Sequence, residues 1–588
     1  MFRLLRYLKN KERLFALFTL ALICAQIIAE LKIPEYMAAV TRLVQTPGVE
    51  ISEIWTRGLY MLLFTLLSVF LAIAASFFTS QVAAGMAKTL REAVFVKVTS
   101  FSMEEIQRFS TGSLLTRSTN DIMQVQQFFM MGLLMLLRAP FMAVFALMKI
   151  VGKGQQWYRF TGISVGLVLA LITIVFLILL PSVKRMQKLA DRMNRVTREH
   201  LTGLRVIRAY NAERYQEEKF ALANDELTRN FMTIGRGVGL LFPLIPFIIS
   251  LLSLGIYWIG AQLINEAEPL MKLPVFSDMV VFSSYITMVM MAFVMLSMLF
   301  VLLPRAQVSA RRLNEVLSTQ SSMEAGKRQE GEAGSRGEIE FRNVSFAYPG
   351  MKGQILENLN FRARKGETLA IIGATGCGKT SLVQLIPRFY DASAGEVLVD
   401  GVNVREYEQN ALFEKIAFVP QKSVIFSGTI ASNVAYGAKA RERGGIDEER
   451  VQYALDIAQA SSFVEKMEGG LNAHVARSGD NLSGGQKQRL SIARAIYRQP
   501  EIFIFDDSFS ALDYKTDRDL RGALKESVRG ATLVIVAQRI GTIMDADRIL
   551  VLDEGKIVGE GRHEELLTNC PVYREIALTQ FSEEELGL

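Results

Sequence analysis

Asn481-Leu482-Ser483-Gly484-Gly485-Gln486-Lys487-Gln488-Arg489 lies between a glycine-rich loop at Gly373–Thr380 and an apolar strand, Ile502-Phe503-Ile504-Phe505, that ends on Asp506. Ser483 is placed to cap a helix. Gly484 and Gly485 bare the N-terminus of that helix, where free backbone amides and the helix dipole favour a phosphate. Upstream, Leu369-Ala370-Ile371-Ile372 reads as a short buried strand, followed by Gly373-Ala374-Thr375-Gly376-Cys377-Gly378-Lys379-Thr380 and a helical pattern from Ser381. Gly373 and Gly378 let the backbone curl close to phosphate, Lys379 suits the β- and γ-phosphates, and Thr380 suits Mg²⁺. With strand before and helix after, this is a P-loop in the context its chemistry requires.

The whole chain has 588 residues, enough for two or three domains, and half of them are apolar. The apolar residues are unevenly spread: nearly uncharged runs fill the first half, and alternating short strands and helices fill the second. A net charge of +7 raises the question of nucleic acid, but the basic residues gather beside apolar segments, which is the pattern of orientation in a membrane; no nucleic-acid partner is expected. Cys24, Cys377 and Cys570 are scattered without metal-ligand spacing, so neither a disulfide frame nor a zinc site is expected, and the catalytic half fits a reducing cytosol.

Six stretches reach the roughly 20 residues needed to cross about 30 Å of hydrocarbon: Leu14 to Ile33, Leu59 to Val82, Phe128 to Ile150, Gly162 to Pro181, Val238 to Ile264 and Met279 to Leu303. Arg3, Arg6, Lys9, Lys11 and Arg13 against the single acid Glu12 place the N-terminus in the cytoplasm, and an even number of spans then places the C-terminus there too. The first run is not read as a signal peptide, because five more follow. Arg138, inside the third span, is either a functional charge or one that packs against another helix or meets water in the cavity. Met288, Met290, Met291 and Met295 in the sixth span are candidates for a soft, apolar cavity lining.

Two internal connections, Ala83 to Gln127 and Ser182 to Gly237, are far longer than turns, and their apolar residues recur at helical spacing between charges. They read as membrane helices continuing into the cytosol. Within them, Thr111-Gly112-Ser113-Leu114-Leu115-Thr116-Arg117-Ser118-Thr119-Asn120-Asp121 and Glu199-His200-Leu201-Thr202-Gly203-Leu204-Arg205-Val206-Ile207-Arg208-Ala209-Tyr210 resemble the first and second intracellular loops of ABC (ATP-binding cassette) exporters. The signature at 481–489 and the P-loop resemble that family's cassette, so the likeness covers nearly the whole chain. It implies a six-helix α-helical membrane domain over 1–318, a linker over 319–336 and an α/β P-loop ATPase domain over 337–588. It also implies short coupling helices near Ser102 to Arg108 and Asn211 to Tyr215.

Carried onto this sequence, the resemblance implies that ATP is held by Gly373, Thr375, Gly376, Cys377, Gly378, Lys379, Thr380 and Ser381, with Tyr348 stacked on adenine. Mg²⁺ would be held by Thr380, Gln421 and Asp506. Ser483 and Gly485 would serve the γ-phosphate bound by a second subunit, so one chain cannot complete a site, and a chain with one membrane half and one cassette must dimerise. Ser510-Ala511-Leu512-Asp513 resembles the D-loop.

Two positions depart from the family pattern. Asp507 stands where hydrolysing members have Glu, one methylene shorter in reach; Gln538 stands where they have the switch His, and cannot carry charge or exchange a proton. Two changes in one site beside an intact signature resemble the degenerate subunit of heterodimeric bacterial multidrug exporters. The expected protein is thus a multi-pass cell-membrane exporter of hydrophobic, drug- or lipid-like molecules. Its partner would be a second half-transporter carrying Glu and His. The alternatives are a homodimeric lipid or peptide exporter and an ATP-gated regulatory or channel subunit.

Overall fold

The computed structural model describes residues 2–46, 48–150, 155–351, 353–437 and 445–586, apart from scattered side chains within those ranges. The chain forms two compact units, one of Met1–Thr99 with Thr111–Thr319, the other of Ser100–Ser110 with Gln320–Leu588.

The first unit is helical. Its long helices run over Asn10–Gln45, Ile51–Thr99, Gln155–Ala209, Glu213–Glu266 and Lys272–Ser318, and another helical stretch runs from Thr111 to Ile150. Among the described residues, five helices are long and apolar enough to cross a membrane: Asn10–Gln45, Ile51–Thr99, Thr111–Ile150, Pro243–Glu266 and Lys272–Leu296. The expected span Gly162 to Pro181 falls within Gln155–Ala209, where the side chains of several residues are outside the described set, as are a few in the expected spans Val238 to Ile264 and Met279 to Leu303. Pro181 does not end its helix, which continues to Ala209. At 1.5 Å per residue, 55 residues extend roughly 80 Å, far beyond a hydrocarbon layer of about 30 Å.

Apolar helix faces meet in a cluster containing Ile23, Ile27, Ala139, Phe282, Tyr285 and Ile286. Buried polar groups are bonded within it: Tyr285 Oη donates to the Leu31 carbonyl at 3.1 Å and Ser277 Oγ to that of Ala38 at 3.2 Å. Arg138 belongs to this packing. Its Nη2 donates to Glu30 Oε1 at 2.8 Å, and the same oxygen accepts from Gln26 and Ser68, so one carboxylate ties residues from three helices. Of the sixth-span methionines, Met290 is buried, Met288 and Met295 are half-buried and Met291 is exposed.

The second expected short helix, Asn211 to Tyr215, is instead a turn at Tyr210–Ala212 that leads straight into Glu213–Glu266. Asn211, at φ 50°, takes the left-handed conformation that Asn tolerates, and this turns the chain.

The second unit contains strands β1 (Ile339–Phe346), β2 (Leu356–Ala363), β3 (Thr368–Gly373), β4 (Ala394–Val399), β5 (Val402–Asn403), β6 (Ile416–Val419), β7 (Gly428–Thr429), β8 (His474–Val475), β9 (Ile502–Asp506), β10 (Thr532–Val536), β11 (Arg548–Asp553) and β12 (Lys556–Gly561). One sheet, in the order β2-β1-β4-β5, is antiparallel; the main sheet has the order β12-β11-β3-β10-β9-β6 and is parallel from β11 to β6. The central strands read as unbroken apolar runs because helices cover both faces of a parallel sheet, and β9 and β10 are buried along their whole length. The stretch 319–336 is not a free tether: the Arg328 amide donates to the Glu406 carbonyl at 2.9 Å and that of Glu332 to the Asp400 carbonyl at 2.9 Å.

Candidate functional site

A parallel sheet delivers the carboxyl ends of neighbouring strands to one edge, where ligands bind in open α/β sheets. Val536 of β10 pairs with Ile371 of β3 on one side and Asp506 of β9 on the other, and Val419 of β6 pairs with Phe505. The loop after β3, Asp506–Asp507 after β9, Gln538 after β10 and Gln421 after β6 therefore emerge side by side.

The P-loop curls around its own lysine. Lys379 is 8% exposed, and its Nζ donates to the carbonyls of Gly373 and Ala374, both at 2.8 Å. Ala374, Thr375 and Gly376 are open to solvent, while Cys377 is buried beneath them. Gly378 caps the helix Lys379–Leu385 at φ 102°, a left-handed conformation that an L side chain resists, and a Cβ there would lie 2.7 Å from Leu356. Cys377 is a buried thiol held 3.8 Å from Lys379, and burial pushes its pKa up.

Thr380 Oγ1 donates to Asp506 Oδ1 at 3.0 Å, which gathers a hydroxyl and a carboxylate where a divalent cation needs oxygen ligands. Burial raises the pKa of Asp506, and the Asp507 charge adds to that; Asp507 is raised too, again chiefly by burial. Two adjacent acids that resist ionisation this way fit a site completed by a cation. Thr380 and Asp506 are thus consistent with holding Mg²⁺.

Gln421 is placed differently from a simple metal ligand: its Nε2 donates to Asp507 Oδ2 at 3.0 Å. Gln538 Nε2 donates to the same oxygen at 2.8 Å. One carboxylate oxygen is therefore clasped by two neutral amides. Asp507 itself sits at φ 48°, in the left-handed region where Asp is better tolerated than longer side chains.

Tyr348 is half-buried, with its hydroxyl 3.0 Å from Ser381 Oγ. Ser483 caps Gly484–Arg498 reciprocally, its amide donating to Gln486 Oε1 at 2.8 Å. The helix end is exposed, and a Cβ on Gly485 would come within 3.2 Å of the Ala511 carbonyl. Among the described residues, no hydrogen bond joins Ser483 or Gly485 to Gly373–Ser381. The sheet edge thus collects Lys379, Thr380, Gln421, Asp506, Asp507 and Gln538, and leaves the signature helix end apart from them.

The family model for the ABC transporter transmembrane region matches residues 17–314, and the ABC transporter model matches residues 356–510. An ABC transporter ATP-binding protein of Mycobacterium tuberculosis is 38% identical over 94% of both chains. This chain is an ABC exporter half-transporter. Its relatives include YfiB of Bacillus subtilis, an ABC transporter ATP-binding protein 34% identical over 91% of both chains. An ATP-dependent lipid A-core flippase of Burkholderia orbicola is 35% identical over 70% of each. A bacterial Atm1-family ABC exporter with ATP bound shares the fold, with a TM-score of 0.81, 24% identity and coverage of 98% of this chain and 99% of that one.

In this ABC exporter two contributors to the site have no motif of their own. Gln580 Nε2 donates to the Gln538 carbonyl at 2.9 Å while its Oε1 accepts from the Ile540 amide at 2.8 Å, so the C-terminal segment pins the switch loop. Tyr390 packs edge to face with Tyr348, ring centroids 5.1 Å apart. A polar residue near a chain end and a tyrosine after the P-loop helix carry no periodic or spacing signal, so only tertiary structure reveals them.

Proposed function

We propose that this exporter moves hydrophobic or amphipathic, drug- or lipid-like molecules across the cytoplasmic membrane as the degenerate-site subunit of a heterodimer. The observation that carries the reading is the clasp on Asp507: the shortened carboxylate is engaged by Gln421 and by Gln538, and neither amide can take up a proton. A hydrolytic water needs a carboxylate placed within hydrogen-bond reach, and a misplacement of about 1 Å costs on the order of 100-fold in rate. The curled P-loop and the Thr380–Asp506 bond support nucleotide and Mg²⁺ binding, so the site would retain ATP with Mg²⁺ and cleave it slowly. Bound there, Mg²⁺ would offset phosphate charge.

The capped signature helix, with Ser483 and Gly485 at its open end, would complete the hydrolytic site of a partner that supplies Glu and His. ATP binding would draw the two cassettes together, and hydrolysis at the partner's site would reset them. Both termini would lie in the cytoplasm, a reading supported by the basic N-terminal segment and an even number of expected spans. The lipid-like end of the substrate range is supported by the relatives named as lipid A-core flippases; these also favour the second reading, a homodimeric lipid exporter.

ATPase activity in lipid nanodiscs, measured for the chain alone and co-purified with a Glu- and His-bearing half-transporter, separates the two. The heterodimer predicts slow turnover alone and a strong rise with the partner. Ordinary transport-coupled turnover by the chain alone would establish the homodimer.

A further inference from the structure

The segment Ser100–Ser110 is folded into the nucleotide-binding unit, and two side chains of its helix Met103–Phe109, the buried Glu105 and the exposed Gln107, bond to residues of that unit. Glu105, 4% exposed, accepts from the Ser102 amide at 2.8 Å, from the Ser102 hydroxyl at 2.5 Å and from the Ser322 amide at 2.9 Å. This anchors the helix. Gln107 Nε2 donates to the hydroxyl of Tyr390 at 2.6 Å. Tyr390, 7% exposed, stands at 88° to the ring of Tyr348, and Phe346 closes the group with its ring 4.9 Å from Tyr348 and 5.7 Å from Tyr390. Tyr348 ends the chain of contacts on Ser381, the residue after Thr380.

We propose that Tyr390 is a positioning residue for the nucleobase: it fixes the plane of Tyr348 on which the base stacks and links that plane, through Gln107, to the helix Met103–Phe109. The inference rests on the reading of Tyr348 as the adenine platform. An aromatic platform binds a base only when its plane is held, and an edge-to-face neighbour holds it without covering the other face. The hydroxyl adds what packing alone would not require, a direct bond to a helix that follows directly from Ile51–Thr99 in the chain. Movement of Tyr348 on base binding is then felt at Gln107, whereas binding of phosphate alone is not.

The test uses the full-length chain in nanodiscs and two competitors of a fluorescent trinitrophenyl-ATP: ATP itself and inorganic tripolyphosphate, which has no base. Tyr348→Ala should lower the preference for ATP over tripolyphosphate about tenfold, the scale of one base–aromatic stack. Tyr390→Ala should lower it about threefold, and Tyr390→Phe, which keeps the ring, should restore it. Amide exchange in Met103–Phe109 should slow with ATP and not with tripolyphosphate. Tyr390→Phe and Gln107→Ala should each abolish that slowing, and the double variant should do no more than either. Equal loss of ATP and tripolyphosphate binding in Tyr390→Ala, or ATP-induced slowing that survives Gln107→Ala, overturns the proposal. An unchanged preference in Tyr348→Ala is a different result, because it removes the adenine platform itself.

Discussion

Gln538 Nε2 donates to Asp507 Oδ2 at 2.8 Å, so two positions that the sequence reading sets apart from the family pattern are one bonded pair. An amide facing a carboxylate satisfies both groups without any exchangeable charge. The two groups therefore satisfy each other as they stand, with no proton to exchange between them. The left-handed backbone of Asp507 adds a local reason for the shorter residue.

Contact between the two positions predicts that their reversal is cooperative. Asp507→Glu alone restores reach but leaves a neutral neighbour, and Gln538→His alone faces a carboxylate that is too short. The double variant should cleave ATP at the degenerate site faster than the product of the single effects, as residues in direct contact do. Single-turnover cleavage in a heterodimer whose partner lacks its own catalytic glutamate measures this site by itself. No rise above background would show that some other feature limits it.

What the sequence made legible follows from where the determinants lie. Lys379, Thr380, Asp506 and Ser483 sit in short contiguous motifs whose backbone geometry is set by neighbours in the chain, and they occupy the sheet edge and helix cap that such motifs imply. Contacts spanning hundreds of residues carry no such local signal: Gln107 with Tyr390, and Glu105 with Ser322. The short helix at Asn211 to Tyr215 that the resemblance implies gives way to a turn, because Asn211 takes a left-handed conformation that no sequence pattern marks. Bridging of 319–336 onto the cassette uses backbone amides, which a polar composition conceals.

The acids at the site give a pH dependence with a definite sign. Burial raises the pKa of Asp506 and of Asp507 in the folded chain, so the protonated forms are favoured there. Their contribution to apo stability is greatest below the ordinary carboxylate range and falls as pH rises through their raised values. Mg²⁺ would take Asp506 in its ionised form and be favoured by a charge on the adjacent Asp507, so the thermal stabilisation given by Mg²⁺–ATP should increase with pH across the region above the ordinary carboxylate range. Asp507→Asn should flatten that increase relative to wild type, a comparison in which the titration of ATP itself cancels. An identical slope in the two proteins would mean that Asp507 does not titrate there.

Glu105 has the opposite sign. Burial would raise its pKa, but the Ser102 hydroxyl and the amides of Ser322 and Ser102 outweigh burial and hold it below the usual value. Its stabilisation is therefore full above the ordinary carboxylate range and is lost only as pH falls through the lowered value. Glu105→Ala strands three donors and removes a charge-assisted anchor worth about 2 kcal/mol. Amide exchange in Met103–Phe109 should accelerate roughly 30-fold, the equivalent of that energy, while exchange in the central strands stays as it was. Acceleration throughout the cassette would instead mark Glu105 as part of its general core.

If the chain works in the proposed heterodimer, Lys379 and Gly485 should separate its two sites, because on that reading each serves a different one. Lys379→Ala removes both bonds that curl the P-loop, to Gly373 and Ala374, and the charge that meets phosphate. It should weaken ATP retention at the slow site and impair transport while leaving measurable turnover at the partner's site. Gly485→Asp sets a side chain against the Ala511 carbonyl and a negative charge at the end of the signature helix, where the partner's γ-phosphate would lie. An acid at a helix N-terminus favours the helix itself, which offsets part of the crowding, so the loss should be functional rather than a failure to fold. Removing a single oxyanion donor costs about 100- to 1,000-fold in rate, and opposing charge should be no milder. Steady-state ATPase of the two mutant heterodimers decides the matter. If Lys379→Ala abolishes turnover while Gly485→Asp leaves it near wild type, the working site is the one built on this chain's own P-loop, and the assignment of the degenerate site is reversed.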